Sequence, residues 1–226
     1  MFNYLIENSM KNALLTLLLL VAVQAANAQL VAKVYEAPET EERVKTHQKI
    51  AILPMKVTMR DTKASKKNRM SAEDLQRMED TYQEGFQNSM YSWFLKMKKK
   101  GRMSQEIQDV TRTNALLKKN GLMTMEDIEA YTYDEIAEML GVDAVFAGNV
   151  VATRSFGKGG AVALAVLTGV RVKTGDADVM VRLYDGQEGK LLWSFDRTVA
   201  SSYASDPEDV VDYLMKRVSK RFPYKS

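Results

Sequence analysis

Three aspartates, Asp109, Asp143 and Asp185, fall at the ends of apolar runs that read as strands. Paired carboxylates are what glycoside hydrolysis needs, one as acid and the other as base or nucleophile. A secreted carboxylate-dependent hydrolase is therefore one reading. The spacing fixes no two of them at a working separation, and Asp143 after a helix stop and Asp185 before a turn are also ordinary structural uses of aspartate. Gly157-Lys158-Gly159-Gly160 invites a phosphate loop. A Walker loop needs its lysine followed by Ser or Thr at the start of a helix. Here a glycine pair follows the lysine, with no hydroxyl after it, so a flexible turn is expected. The fourteen methionines include Met123-x-Met125 and Met55 with Met59. Thioethers suit Cu(I), but most of these side chains lie on apolar stripes, where Met is core filler. The single histidine, His47, is expected at the surface. With one His and no Cys, most histidine metal sites and triads are removed, as are disulfides, thiolate chemistry and a lipid-modified N-terminal cysteine. No catalytic, cofactor or metal residue is assigned, and no cofactor is expected.

The remaining chemistry is that of contact. Basic residues cluster at 63–69, 96–102 and 217–225, with Lys98, Lys99 and Lys100 consecutive. Such clusters could meet anionic lipid heads or glycans. A net charge of +3 is too small to argue for nucleic acid. Residues 161–167 form an apolar run between glycines, and Val162, Leu164, Val166 and Leu167 there, with the three lysines, are the candidate interaction surface. An apolar run of that kind is expected to be buried or in contact with a partner, a second copy included.

The elements that must carry these residues follow from periodicity. Residues 29–48 read as a linker or early edge strand, and KIAILPM at 49–55 as a buried strand ending at Pro54. Residues 60–70 read as a loop. Ser71 with Asp74 opens a long helix whose stripe is Leu75, Met78, Tyr82, Phe86, Met90, Trp93 and Met97. Its lysine-rich end before Gly101 is what helix C-termini favour. Residues 107–110 are a candidate strand, and Thr113 a candidate cap for a helix over 114–120. Thr124 starts another helical stretch, with a capping box at Thr132 and Glu135 and a stop at Gly141. A strand over 143–153, the insert 155–175 and a hairpin turning at 186–189 come next. In the hairpin, Val179, Val181 and Leu183 alternate with polar neighbours, and Leu191, Trp193, Phe195 and Val199 share one face with Arg197 as the exception. Asp206-Pro207 opens a last helix with Val211, Leu214, Val218 and Phe222 inward. The order β-α-β-α-α-β-(insert)-β-β-α predicts an α/β fold, a mixed sheet with helices packed on it.

At the other end of the chain, residues 14–23 are apolar apart from Thr16, preceded by Lys11 and followed by Ala26-Asn27-Ala28. That is a cleavable secretory signal, too short to span a bilayer. Residues 1–28 are read as signal peptide, with Met10 as the natural start, and 49–226 as a single domain. The mature protein is expected in the periplasm or outside the cell, without a transmembrane helix.

Three passages in this order carry a resemblance: KIAILPM at 49–55, EIAEMLGVDAVFAG at 135–148, and VMVRLYDGQEGKLLW at 179–193. Together they resemble the domain of bacterial envelope proteins related to CsgG, the curli secretion channel, also seen at the start of TolB and in LpoB. The resemblance implies a non-enzymatic envelope module that assembles or regulates through contacts with envelope proteins or with itself. In the channel proteins two membrane hairpins belong to this domain. Here residues 155–175 lack the polar-apolar alternation of a pore strand, only residues 200–205 stand in the second place, and no lipobox cysteine precedes the domain. A relative without the pore-forming parts is expected.

Overall fold

The computed structural model describes residues 33–61, 71–154, 176–199, 207–218 and 221–224, all within the unit Lys33–Ser226. In chain order these form β1 (Lys33–Glu36), α1 (Thr40–Thr46), β2 (Lys49–Ile52), β3 (Lys56–Asp61), α2 (Ala72–Lys99), β4 (Glu106–Ile107), α3 (Val110–Lys119), α4 (Met125–Glu129), α5 (Tyr133–Leu140), β5 (Ala144–Arg154), β6 (Ala177–Asp185), β7 (Leu191–Val199) and α6 (Pro207–Val218). The expected α/β fold with a mixed sheet is what the chain adopts. The sheet runs β1-β7-β6-β5-β2-β4, with β3 also on β5. The pairs around the hairpin are antiparallel, and those of β2 with β4, β2 with β5 and β3 with β5 are parallel.

β2 and β3 lie end to end along one edge of β5. Ile50 to Ile52 face Ala144 to Phe146, and Lys56 to Asp61 face Asn149 to Arg154. Between them Leu53 N–H still donates to the Phe146 carbonyl at 2.8 Å. Pro54 then has no N–H to give, which interrupts the ladder. Residues 60–70 were expected to be loop; residues 60 and 61 instead finish β3. Val57 and Met59 alternate with Lys56, Thr58 and Arg60, burying the two apolar side chains, and the pairing with β5 carries the strand on through Asp61.

Helices cover both faces. On one, α2 packs with α6, and Trp93, Phe94, Phe146, Trp193 and Phe222 form a cluster of rings with centroids 5.0 to 5.9 Å apart. On the other, Ala51, Leu53 and Val145 meet Leu117, Ile128, Ile136 and Leu140 from α3, α4 and α5, with Leu122 from the connection between α3 and α4. The α2 stripe is as its spacing implies, with Met78, Phe86, Met90, Trp93 and Met97 buried, and Ser71 Oγ accepts the Asp74 N–H at 3.0 Å. Both Thr124 and Thr132 cap helices in reciprocal boxes, with Asp127 and Glu135, but of two separate helices. Gly141 takes the left-handed φ of +63° that ends α5.

Several local expectations are corrected. Asp109, not Thr113, caps α3, accepting from Thr111 N–H at 2.8 Å and Arg112 N–H at 3.3 Å. The helix therefore starts at Val110 and leaves only Glu106–Ile107 as strand. Thr113 lies inside the helix and is wholly buried, donating to Gln108 Oε1. A bulge places Leu191 opposite Tyr184 while Trp193 faces Leu183, so Leu191 leaves the face it was assigned to. Residues 29–48 contain β1 at the sheet edge and, in addition, α1, which their mixed charge pattern did not suggest.

Candidate functional site

The three aspartates hold the backbone together. Asp109 caps α3. Asp143 Oδ2 accepts Gln48 N–H at 2.7 Å and Lys49 N–H at 2.8 Å, fixing where β2 begins. Asp185 Oδ2 accepts Gln187 and Glu188 N–H, both at 3.1 Å, and so shapes the hairpin turn. Its other oxygen, Oδ1, lies 3.0 Å from His47 Nε2, and His47 Nδ1 lies 2.7 Å from the Tyr224 hydroxyl. A carboxylate only accepts, so Nε2–H donates to Asp185, and in the neutral ring Nδ1 then accepts from the phenol. Asp143 is close enough for its charge to act on Tyr224. Burial first, and then Asp143 and Asp185, push the Tyr224 hydroxyl well above the ordinary tyrosine value.

This Tyr-His-Asp relay resembles the frame of a catalytic triad, but it is sealed. His47 is 5% exposed, Asp185 2% and Tyr224 3%, so no substrate atom can reach it. His47 is therefore not the surface residue expected from sequence. What the cluster does is mechanical: it joins the entry to β2, the β6–β7 turn and the C-terminal segment. Arg43 on α1 adds to it through Gln187 and Glu188, Thr40 Oγ1 donates to the Leu192 carbonyl at 2.7 Å, and Trp193 Nε1 donates to the Arg221 carbonyl at 3.0 Å.

Open space lies elsewhere. Two adjoining cavities, of about 370 and 800 Å³, share Pro54, Lys56, Thr58, Met125 and Ile128. Together they form a groove beside β3, bounded by α2, α3 and α4. Its floor is braced by an amide pair, Gln87 and Asn114, bonded reciprocally at 3.0 Å, with Gln87 also donating to the Ile52 carbonyl at 2.8 Å. Its rim carries two exposed large apolar side chains, Met123 (66%) and Tyr131 (41%). Tyr133, stacked on Tyr184 at 3.7 Å, lines the smaller cavity, and burial first, then that neighbour, pushes its hydroxyl up to about 12. Lys56 is held above its usual value by its hydrogen bond to Glu129. None of Asp109, Asp143 and Asp185 lines either cavity.

Sequence reasoning missed this groove. Its signals were weak ones, Pro54 in an apolar run and Met123-x-Met125 beside a cap. Met55 and Met59 are buried in the core. Among the described residues, no group of three or more His, Cys, Asp or Glu side chains could hold a metal ion. Lys98, Lys99 and Lys100 end α2 and are exposed. Val162, Leu164, Val166 and Leu167, Lys158 with its glycines and the signal segment lie outside the described residues. Among those described, no helix is long and apolar enough to cross a membrane.

No family model matches the chain, and no curated protein does. Solved structures give distant likenesses. The lipoprotein GNA1162 from Neisseria meningitidis is 16% identical, with 76% of this chain and 94% of that one covered, at a TM-score of 0.41. The C-terminal domain of LpoB from Salmonella enterica is 11% identical, with coverages of 72% and 93% and a TM-score of 0.31. A PelC dodecamer from Paraburkholderia phytofirmans is 13% identical, with coverages of 87% and 97% and a TM-score of 0.35. At such levels these likenesses carry no argument about activity, partner or assembly.

Proposed function

We propose that this chain is an exported, non-enzymatic module of the bacterial envelope, periplasmic or secreted, that works by binding other envelope proteins and copies of itself, as in assemblies related to curli secretion. The observation that carries this reading is the division of polar groups. The one His-Asp-Tyr arrangement is sealed and structural, whereas the accessible groove offers apolar and hydrogen-bonding side chains, which is the surface of a binding site. The secretory segment supplies the compartment. Crosslinking in intact cells, followed by identification of what is captured, tests it together with light scattering of the purified protein. Specific envelope partners or a defined oligomer are expected; a strict monomer that captures nothing counts against it.

A second reading rests on Lys98, Lys99 and Lys100, consecutive and exposed at the end of α2. It makes the protein a binder of anionic lipid or glycan. Binding to phosphatidylglycerol vesicles that weakens steeply with salt and is lost when the three lysines become Gln supports it; binding that survives the change removes this cluster.

A further inference from the structure

The groove has a more specific shape than a general contact surface. β2 is flanked on its outer side by β4, whose Glu106 and Ile107 lie opposite Lys49 and Ile50. After the break at Pro54 the chain continues as β3, and among the described residues no strand pairs with β3 on the side away from β5. No described strand takes beside β3 the lane that β4 fills beside β2, and the larger cavity runs along it, lined by Lys56, Val57 and Thr58 on one side and Gln76, Asp80 and Gln83 of α2 on the other. The edge is live. Met59 N–H points into the lane, where Glu79 Oε1 accepts it at 2.7 Å. Alternation along a strand turns the Val57 peptide group to the same side. A side-chain carboxylate therefore sits where a neighbouring strand would place a carbonyl.

The lining also has a sign. Asp80, Glu84 and Glu126 are exposed around the lane, and Glu79 closes it, against Lys118 and a Lys56 already paired to Glu129. Beyond the acids lie Met123 and Met125. Resting on the reading as a protein-binding module, we infer that this groove receives an extended, cationic segment of a partner protein, added as a strand to β3. Main-chain bonds to Val57 and Met59 would hold it. Its carbonyl would replace Glu79 at the Met59 N–H, and the released carboxylate, with Asp80 and Glu84, would face its Lys or Arg side chains. Alternate apolar residues would meet Met123, Met125 and Ile128. Six residues of strand span roughly 20 Å, the length of β3.

The test uses acetylated, amidated octapeptides alternating Lys or Arg with Val, Leu or Thr, read by fluorescence anisotropy and by amide hydrogen exchange of the purified protein. Saturable binding is expected, weakening at high salt, with new protection at Val57 and Met59. D80K/E84K changes exposed side chains and is expected to keep its circular dichroism while losing at least tenfold in affinity. Equal binding of octapeptides with Glu in place of Lys or Arg, unchanged affinity in D80K/E84K, or protection confined elsewhere overturns the inference. So does self-association through the same edge that D80K/E84K abolishes, which would give the lane to a second copy. Envelope partners still captured by D80K/E84K while the peptides fail to bind would overturn the groove and leave the binding-module reading standing.

Discussion

His47 and Asp185, 138 residues apart in the chain, meet through Nε2 and Oδ1 at 3.0 Å inside the fold, with Tyr224 closing the other side of the ring at 2.7 Å. Three segments distant in sequence are held by one imidazole. His47→Ala removes both bonds at once and leaves a buried carboxylate oxygen and a buried phenol unpaired. At about 1–3 kcal/mol for each such group, a loss of about 2–6 kcal/mol is expected by urea unfolding. Tyr224→Phe, which strips only one hydroxyl, is expected to cost about 1 kcal/mol. A loss under about 0.5 kcal/mol for His47→Ala would show that the cluster contributes little.

The tyrosines give a pH dependence of definite sign. Tyr133 rises from 10.0 to about 12 in the folded chain, and Tyr224 is raised well above its ordinary value, both chiefly by burial. A raised folded value means the stabilisation is present in full below pH 10 and is lost as the pH rises through about 12. Thermal unfolding from pH 8 upward, followed with phenolate absorbance, is expected to show melting temperature falling only above about pH 10. In Tyr224→Phe the alkaline fall is expected to be shallower. An unchanged slope would mean that Tyr224 ionises as freely in the folded chain as in the unfolded one.

Gly148 in β5 lacks room for any side chain. A Cβ there would overlap the Met180 carbonyl oxygen and come within 2.6 Å of Met55 Cε. The methionine can swing aside but the carbonyl belongs to the β5–β6 ladder. Gly148→Ala is expected to cost about 1–3 kcal/mol, with Met55→Ala failing to restore it. Recovery in the double variant would place the conflict on the side chain instead.

The helix caps separate two readings of one stretch. With Asp109 as the cap of α3, Asp109→Ala is expected to cost about 1 kcal/mol and Asp109→Asn much less. Thr113→Val instead leaves the Gln108 amide oxygen without a donor inside the core, so its loss should be of the buried kind, about 1–3 kcal/mol. Equal, small effects at both sites would argue against Asp109 as the cap.

What the sequence determined by itself is the part of the fold written in short-range physics. The α2 stripe from Met78 to Met97, the caps at Ser71, Thr124 and Thr132, the stop at Gly141 and the β6–β7 hairpin depend on neighbours a few residues away, and they formed where their spacing implied. The mixed sheet followed from the order of those elements. Tertiary structure alone decided the rest. β3 exists because β5 offers it a parallel edge, and α1 is fixed by Thr40, Arg43 and His47 reaching the hairpin. No periodicity encodes a pairing between segments so far apart. The same holds for function. Asp143, Asp185 and His47 were legible as residues capable of chemistry, yet only the backbone groups that the two aspartates hold and the burial of Asp185 and His47 show them spent on structure. The groove runs along a strand edge that no other described strand pairs with, a property of topology that residue types cannot announce.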